Sequence, residues 1–454
     1  MQEPTKKTVF LVIPRRISVR YTLSAGLLDE LKRQGNPKVV ILTSIQDPKF
    51  AEEFSGPDVC VEYIPMRDGK ESFLERLLRQ VRNYLGGIGY NLETFAAKAK
   101  MRGWLFFAVY RLATILLRSF VFLRGWLRAA DTYMFSYLSD GYYEKLFEKY
   151  HPDLVVIHSV YELTAVPVAR VAKRKNVPSL GIVISWDNLT NKADIYARCG
   201  KLAVWNDVMR QQAVKYHQYR PEEVAVIGTT QFDAYMVLDN EIETKERFFE
   251  RKKLNADKKL IVYTTSPERI GGKTEVEAMR LIYDKMCAGG QAAVQMLVRV
   301  YTKDSIDRYG RLSGLPGLVL DDPRDIFKGQ VLSYKEQDKR FVLDLAAAMK
   351  YADVVVNLDS TITLDAAIFD VPVVNLAFGK LKFWSETSHY RHLVETGGAR
   401  LAFDAGQLVS QISAYLGDRS TDRENRKRLV EKLCGPIDGR RTRELAEYIL
   451  DSLT

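Results

Sequence analysis

The 454-residue sequence predicts an α/β protein built from two successive parallel-sheet units. Three observations predict it. Short apolar runs rich in β-branched residues are continuous rather than alternating, as strands buried on both faces require. Helix-length amphipathic stretches separate these runs, as crossovers between parallel strands require. A very charged stretch, 241–259, then divides the chain into two parts of roughly 200 residues each, a usual domain size.

In order, Val9–Ile13 reads as a buried strand, and Tyr21–Leu31 carries helical periodicity. Val39–Leu42 and Val61–Ile64 read as the second and third strands. The alternation breaks over residues 71–149, a long helical insertion, and resumes at Leu154–Ile157. A helix over 163–175, a strand over 180–184, strands at 202–205 and 224–227, and a helix over 207–219 complete the first unit, residues 1–232. Residues 233–258 read as a charged hinge, because composition shifts sharply there. The second unit, 259–454, begins with the strand Leu260–Tyr263. It continues through a helix over 275–287 and strands at 296–300, 318–320, 353–357 and 373–376.

Hydrophobic residues make up 46% and charged residues 27%, which excludes a disordered or fibrous chain. The formal charge of +10 invites an anionic partner. Four widely spaced cysteines, Cys60, Cys199, Cys287 and Cys434, form no metal-binding or disulfide pattern, so a reducing compartment is expected. The N-terminus runs into a strand with no secretory leader, so a cytosolic chain is expected. No GxGxxG occurs, which argues against a dinucleotide-dependent dehydrogenase.

The most informative segment is Asp353–Asn375. A buried strand ends near Leu358, and Asp359, Ser360, Thr361 and Thr363 stand where the next helix begins. Backbone N–H groups, hydroxyls and the positive helix end suit a phosphate there, although Asp-Ser-Thr is equally good helix-capping chemistry. Asp365, one turn on, is placed to reach a ribose hydroxyl. Ser266 and Arg269 follow the first strand of this unit, Gly271-Gly272-Lys273 closes their loop, and Arg299 and Lys303 follow the second strand. Convergent donors from several loops are what a pyrophosphate needs. Asp321-Asp322-Pro323-Arg324-Asp325 reads as a surface loop, and no essential metal is expected.

In the first unit two strand ends carry candidate bases. His158 ends one strand and Asp187 follows the next, beside Trp186, whose apolar ring would raise a carboxyl pKa. Their plainer readings are a core histidine and a turn. Arg15-Arg16, after the first strand, either clamp an anionic acceptor or are simply solvated.

The Asp359-Ser360-Thr361 helix start, the Asp370-Val371-Pro372 that follows, and Cys434-Gly-Pro-Ile-Asp-Gly-Arg-Arg-Thr-Arg-Glu resemble the nucleotide-binding half of GT-B glycosyltransferases. The likeness is to bacterial surface-polysaccharide glycosyltransferases, CDP-glycerol glycerophosphotransferases and UDP-N-acetylglucosamine 2-epimerases. It implies two Rossmann-like, doubly wound domains facing a cleft, with acceptor bound by the first and nucleotide-sugar by the second. It also implies that Ser360 and Thr361 hold the diphosphate and that Asp365 stands where a ribose-binding carboxylate sits. Where such units often have Arg-x-His-Pro, this chain has Arg299-Val-Tyr-Thr-Lys303.

Between Arg67 and Arg128 stand twelve Lys/Arg and four Asp/Glu, nearly the whole excess charge. Residues 98–128 interleave Arg111 and Arg118 with Trp, Phe and Leu, which predicts an interfacial helix rather than a spanning one. A buried helical subdomain or a dimer interface, with snorkelling arginines, is the competing reading. The leading expectation is a glycosyltransferase using a nucleotide-diphosphate sugar as donor substrate, with no separate cofactor. Its acceptor would be a lipid-linked or cell-surface glycan at the inner face of the plasma membrane. Glycerophosphate transfer, UDP-sugar epimerisation and a non-enzymatic membrane- or nucleic-acid-binding module are the alternatives. Nucleic acid is not expected, because the cations lie on an apolar helix rather than along a groove.

Overall fold

The computed structural model describes residues 6–67, 70–134, 140–288, 293–358 and 360–453. The chain forms two compact units: Met1–Asp233 with Ser333–Lys335 and Asp438–Thr454, and Ala234–Leu332 with Glu336–Ile437.

The first unit carries a seven-stranded, wholly parallel sheet in the order β3-β2-β1-β4-β5-β6-β7. Its strands are β1 (Thr8–Val12), β2 (Lys38–Thr43), β3 (Val59–Tyr63), β4 (Leu154–His158), β5 (Ser179–Ile182), β6 (Lys201–Val204) and β7 (Val224–Val226). The second carries a six-stranded parallel sheet, β10-β9-β8-β11-β12-β13. Its strands are β8 (Lys259–Thr264), β9 (Val294–Arg299), β10 (Leu318–Asp321), β11 (Val354–Asn357), β12 (Val373–Leu376) and β13 (Arg400–Ala402). Both sheets are doubly wound, with switch points between β1 and β4 and between β8 and β11, where such sheets place ligands.

Covering both faces explains the continuous apolar runs. Along β8, Ile261 and Tyr263 pack with Met279, Ile282 and Ile412, whereas Leu260 and Val262 pack with Phe248, Ala347 and Met349. Each such buried side chain contributes roughly 1.5–3 kcal/mol of transfer free energy.

Two expectations about boundaries change. The charged segment 233–258 is no free hinge: Phe248 and Phe249 on the helix Lys245–Arg251 are buried in the second unit's core. The second unit also does not run to the terminus. The last helix, Arg441–Asp451, packs Leu445, Ala446 and Ile449 against Val9, Leu27 and Leu31 of the first unit. Its start is fixed by Asp233, which accepts from the Thr442 backbone N–H at 2.6 Å and from its Oγ1 at 2.8 Å. The structure also has β13, which is too short to carry a periodic signal, and its β5 ends at Ile182 rather than Ile184.

The insertion is helical, with helices Phe73–Tyr84, Glu93–Arg102, Trp104–Arg118, Leu123–Met134 and Gly141–Tyr150. Five of the twelve cations of 67–128 turn inward. Asp194, without exposed surface, accepts from Arg82 Nε at 2.9 Å, from Arg124 Nη2 at 2.8 Å and from Arg128. Arg67 and Arg170 share Glu75, and Arg79 pairs with Glu71. Gly86 lets this assembly close, since a Cβ there would sit 2.2 Å from the Ala193 carbonyl oxygen.

The outer helix is different. Trp104 is 82% exposed, Ile115 68% and Trp126 on the next helix 74%, and Leu105, Val109, Leu112 and Leu116 form an exposed stripe at helical spacing. Arg102, Arg111 and Arg118 border it and are exposed. On the opposite side buried Tyr110 anchors the helix, its hydroxyl donating to Asn91 Oδ1 at 3.0 Å. Among the described residues no single helix is long and apolar enough to cross a membrane. The pair Trp104–Arg118 and Leu123–Tyr133, bent by 80°, passes only when taken together.

Candidate active site

In the second unit, loops leaving three neighbouring strands, β9, β8 and β11, bring the predicted donors to one edge. At the usual spacing of adjacent strands their ends span roughly 10 Å. After β8, Ser266 is held by Glu275, whose Oε1 accepts from the Ser266 backbone N–H at 2.8 Å and whose Oε2 accepts from its Oγ at 3.1 Å. Arg308 locks the loop by donating to the Ser266 carbonyl at 3.0 Å, the Gly272 carbonyl at 2.8 Å and Glu275 at 3.1 Å. Gly271 is required here, because a Cβ would lie 2.4 Å from Glu275 Oε2 and 2.5 Å from Ser266 Oγ. Burial pushes the Glu275 carboxyl up to about 7, against the pull of Ser266 and Arg308.

The segment read as a loop is the first part of the helix Glu268–Ile282, kinked at Gly272, and the clamp leaves Arg269 and Lys273 exposed on it, with Lys303 exposed beyond β9. Among the described residues none of the three carries an ion pair. Ser360 and Thr361 are half-buried beyond β11, with Ser360 Oγ accepting from the Ile362 N–H at 3.3 Å. That bond is capping chemistry, and the helix it opens, Ile362–Ile368, has only seven residues. Asp359 lies outside the described residues. Behind the loop, Thr363 joins Asn357 and Asn375 in a buried network, with Asn375 Nδ2 donating to Asn357 Oδ1 at 2.7 Å.

Two predicted contacts are corrected. Arg299 is buried and matched by Asp321, at 2.7 Å, and by Asp344, which also take Lys252 at 2.6 and 2.9 Å. Its charge is spent inside the fold, so it does not present itself to a phosphate. The surface-loop reading of 321–325 fails for Asp321 in the same way. Asp365 is also buried, and Tyr235 donates to its Oδ1 at 2.6 Å. Burial pushes it up to about 6. A ribose hydroxyl would have to displace Tyr235 to reach that oxygen.

In the first unit His158 ends β4, beside the β1/β4 switch point, and Asp187 follows β5. His158 is 2% exposed, and no described residue hydrogen-bonds its Nδ1. Burial pushes it down to about 3, so the imidazole is neutral at neutral pH. It borders a small cavity with Tyr21, Trp205, Thr229 and Thr230. The next residue, Ser159, holds φ +82°, a strained conformation of the kind found at functional sites. Asp187 accepts from Ser185 Oγ, Asn188 Nδ2 at 3.1 Å and Asn191 Nδ2 at 2.9 Å, which organises the turn into the helix Asn188–Asn191.

Arg15 is exposed but ion-paired, and Arg16 is half-buried, so neither is a free clamp. Arg15 pairs with Glu162 at 2.6 Å, and Arg16 lies 4.4 Å over the Tyr334 ring. Sequence reasoning passed over Lys192, Glu275 and Arg308. Burial holds Lys192 below the usual lysine value, with Asp187 and Glu162 opposing. The signal for Glu275 and Arg308 lies in pairing across 33 positions, which no local pattern reveals. Among the described residues, no group of three or more His, Cys, Asp or Glu comes together as metal ligands.

No family model and no curated protein matches the chain. Solved structures do. UDP-GlcNAc 2-epimerase from Neisseria meningitidis, solved with UDP-GlcNAc, aligns at TM-score 0.58 and 13% identity over 98% of this chain and all of that one. A glycosyltransferase from Rickettsia africae aligns at TM-score 0.51 and 10% identity over 98% and 99%. The wall teichoic acid polymerase TagF, soaked with CDPG, aligns at TM-score 0.50 and 10% identity over 99% and 90%. The chain therefore has the GT-B fold, two Rossmann-like units with a helical insertion in the first.

Proposed function

We propose that the protein is a glycosyltransferase that moves a sugar from a nucleotide-diphosphate donor to a lipid-linked or surface-glycan acceptor at the cytoplasmic membrane face. Several observations support a nucleotide-sugar donor: the GT-B fold, the hydroxyls of Ser266, Ser360 and Thr361, and the free cations Arg269, Lys273 and Lys303 at one sheet edge. In the transfer, the acceptor hydroxyl attacks the anomeric carbon, the bond to the diphosphate breaks, and these groups stabilise the departing charge. Asp187 or His158 would take the acceptor proton; burial favours Asp187, which is partly exposed on its turn, whereas His158 is buried.

The exposed apolar helix Trp104–Arg118 is the observation that carries the choice of transfer over epimerisation, because a soluble UDP-sugar needs no membrane-facing surface. Its bordering arginines suit an anionic leaflet. Incubation with UDP-, GDP- and CDP-linked donors is the test. Release of a nucleoside diphosphate supports sugar transfer. Release of CMP from CDP-glycerol would mean glycerophosphate transfer, and interconversion without release would mean epimerisation. Arg269→Ala and Ser360→Ala should each weaken donor binding about tenfold, the worth of one charge-assisted hydrogen bond. Unchanged binding in both would remove the assignment of this edge.

The membrane contact has its own test. Ile115→Asp should lower partitioning to phosphatidylglycerol vesicles about tenfold or more, since one buried aliphatic side chain carries roughly 1.5–3 kcal/mol. Equal partitioning of the wild type to neutral and anionic vesicles at low salt would count against the charged component.

A further inference from the structure

The first unit contains a second cavity that the reading above does not use. It encloses about 730 Å³, within the range of small-molecule sites. Ser179 and Gly200, at the starts of β5 and β6, line it, so it opens at the sheet edge opposite His158 and Asp187. Gly125, Ala129 and Thr132 form one wall, on the helix that carries exposed Trp126.

Five cations reach this cavity: Arg82, Arg128, Arg170, Lys173 and Arg198. Three are already compensated. Arg82 and Arg128 pair with Asp194, and Arg170 with Asp131 and Glu75. The other two are not. Arg198 donates only to the main-chain carbonyls of His217 and Gln218 and lies 3.7 Å over the Tyr219 ring. Lys173 is exposed at the rim, and neither it nor Arg198 has an ion pair among the described residues. Of the lining acids, Asp131 is taken by Arg170 and Arg82, and Glu223 is bonded to Arg220. Glu223 and Asp194 act on Arg198 only from beyond ion-pair distance, and a half-buried guanidinium without a contacting carboxylate is electrostatically costly. Burial, with Arg128 adding like charge, accordingly holds Arg198 below the usual arginine value. Apolar Ile195, Val166 and Ala169 complete the lining.

The geometry points to a binding site for a phosphate-bearing anion, seated on Arg198 and Lys173 and roofed by the helix Leu123–Met134. The phosphate could come from a lipid headgroup, given that helix's exposed apolar face, or from a soluble metabolite. The inference is independent of the donor assignment, because it lies on a different sheet edge.

Calorimetric titration of the full chain tests it with three probes: inorganic phosphate, pyrophosphate, and dihexanoylphosphatidylglycerol below its micelle-forming concentration. At least one should bind, and Lys173→Glu and the conservative Arg198→Lys should each weaken it about tenfold. Inorganic anions that also bind the second unit's donor edge lose that component in Ser360→Ala, and the component that Lys173→Glu weakens should persist in it. Binding of the short-chain lipid alone identifies a headgroup site, and binding of the inorganic anions identifies a soluble ligand. Absence of binding by all three overturns the proposal. So does binding lost with Ser360→Ala but untouched by Lys173→Glu, which would belong to the second unit. Lys173 is exposed, so its variant tests the site without risking the fold.

Discussion

Asp194→Asn is expected to destabilise the first unit by about 3–5 kcal/mol, the usual result of removing one partner from a buried ion pair. The carboxylate has no exposed surface and sits among Arg82, Arg124 and Arg128. Those arginines hold it well below the usual carboxylate range, although burial alone would raise it. Without that charge, Arg124, itself fully buried, faces Arg128 with nothing to offset the repulsion. Asn keeps the shape and can accept one bond, so the loss reports charge rather than packing. In urea the midpoint should fall at unchanged slope. Arg128→Met should cost less, because that side chain remains 12% exposed. A change below 1 kcal/mol for Asp194→Asn would mean that the three arginines reach water or other partners.

The second large effect is a dependence on pH of opposite sign in the two units. His158 and His217 are pushed down by burial to about 3 in the first unit. A histidine with a depressed folded pKa contributes stability above its unfolded value, near 6.5. That stability is lost as pH falls from about 6.5 toward 3, on the order of 3–5 kcal/mol for each histidine if the full shift operates. In the second unit Glu275 and Asp365 are raised to about 7 and about 6. Their contribution is complete below about 4 and is lost as pH rises through 6 to 7, on the order of 3 kcal/mol each. Acidification from pH 7 to 5 should therefore loosen β4 and the helix Asp207–His217 while tightening β8 and β9. Hydrogen exchange, corrected for its intrinsic pH dependence, reads both. His158→Gln and Glu275→Gln should each flatten the response of their own unit. A common trend in both units would contradict the opposite burial of acid and base.

Much of the framework was legible because buried parallel strands leave a local signature. Val9–Ile13, Leu154–Ile157 and Asp353–Asn357 are nearly coextensive with β1, β4 and β11. What stayed hidden depends on partners far along the chain. Arg299 looks like a ligand until Asp321 and Asp344 close on it from 22 and 45 positions away. The twelve cations of 67–128 look like one basic surface until Asp194 gathers three of them. Charge in 241–259 concealed Phe248 and Phe249, two adjacent aromatics too few to set a periodicity. At the donor edge, the hydroxyls and free cations were readable as residue types. The clamp that holds Ser266 was not, because Glu275 and Arg308 show their relation only in the folded unit.

The packing of Arg441–Asp451 against β1 also sets an order of events during synthesis. The first unit lacks this helix until residues 441–451 have been synthesised, leaving Leu27 and Leu31 uncovered on the side where Leu445 and Ile449 belong. Residues 234–437, apart from the short loan of Ser333–Lys335 to the other unit, are complete just before that helix begins. Of the two units, the one whose residues come first along the chain is thus completed after the other.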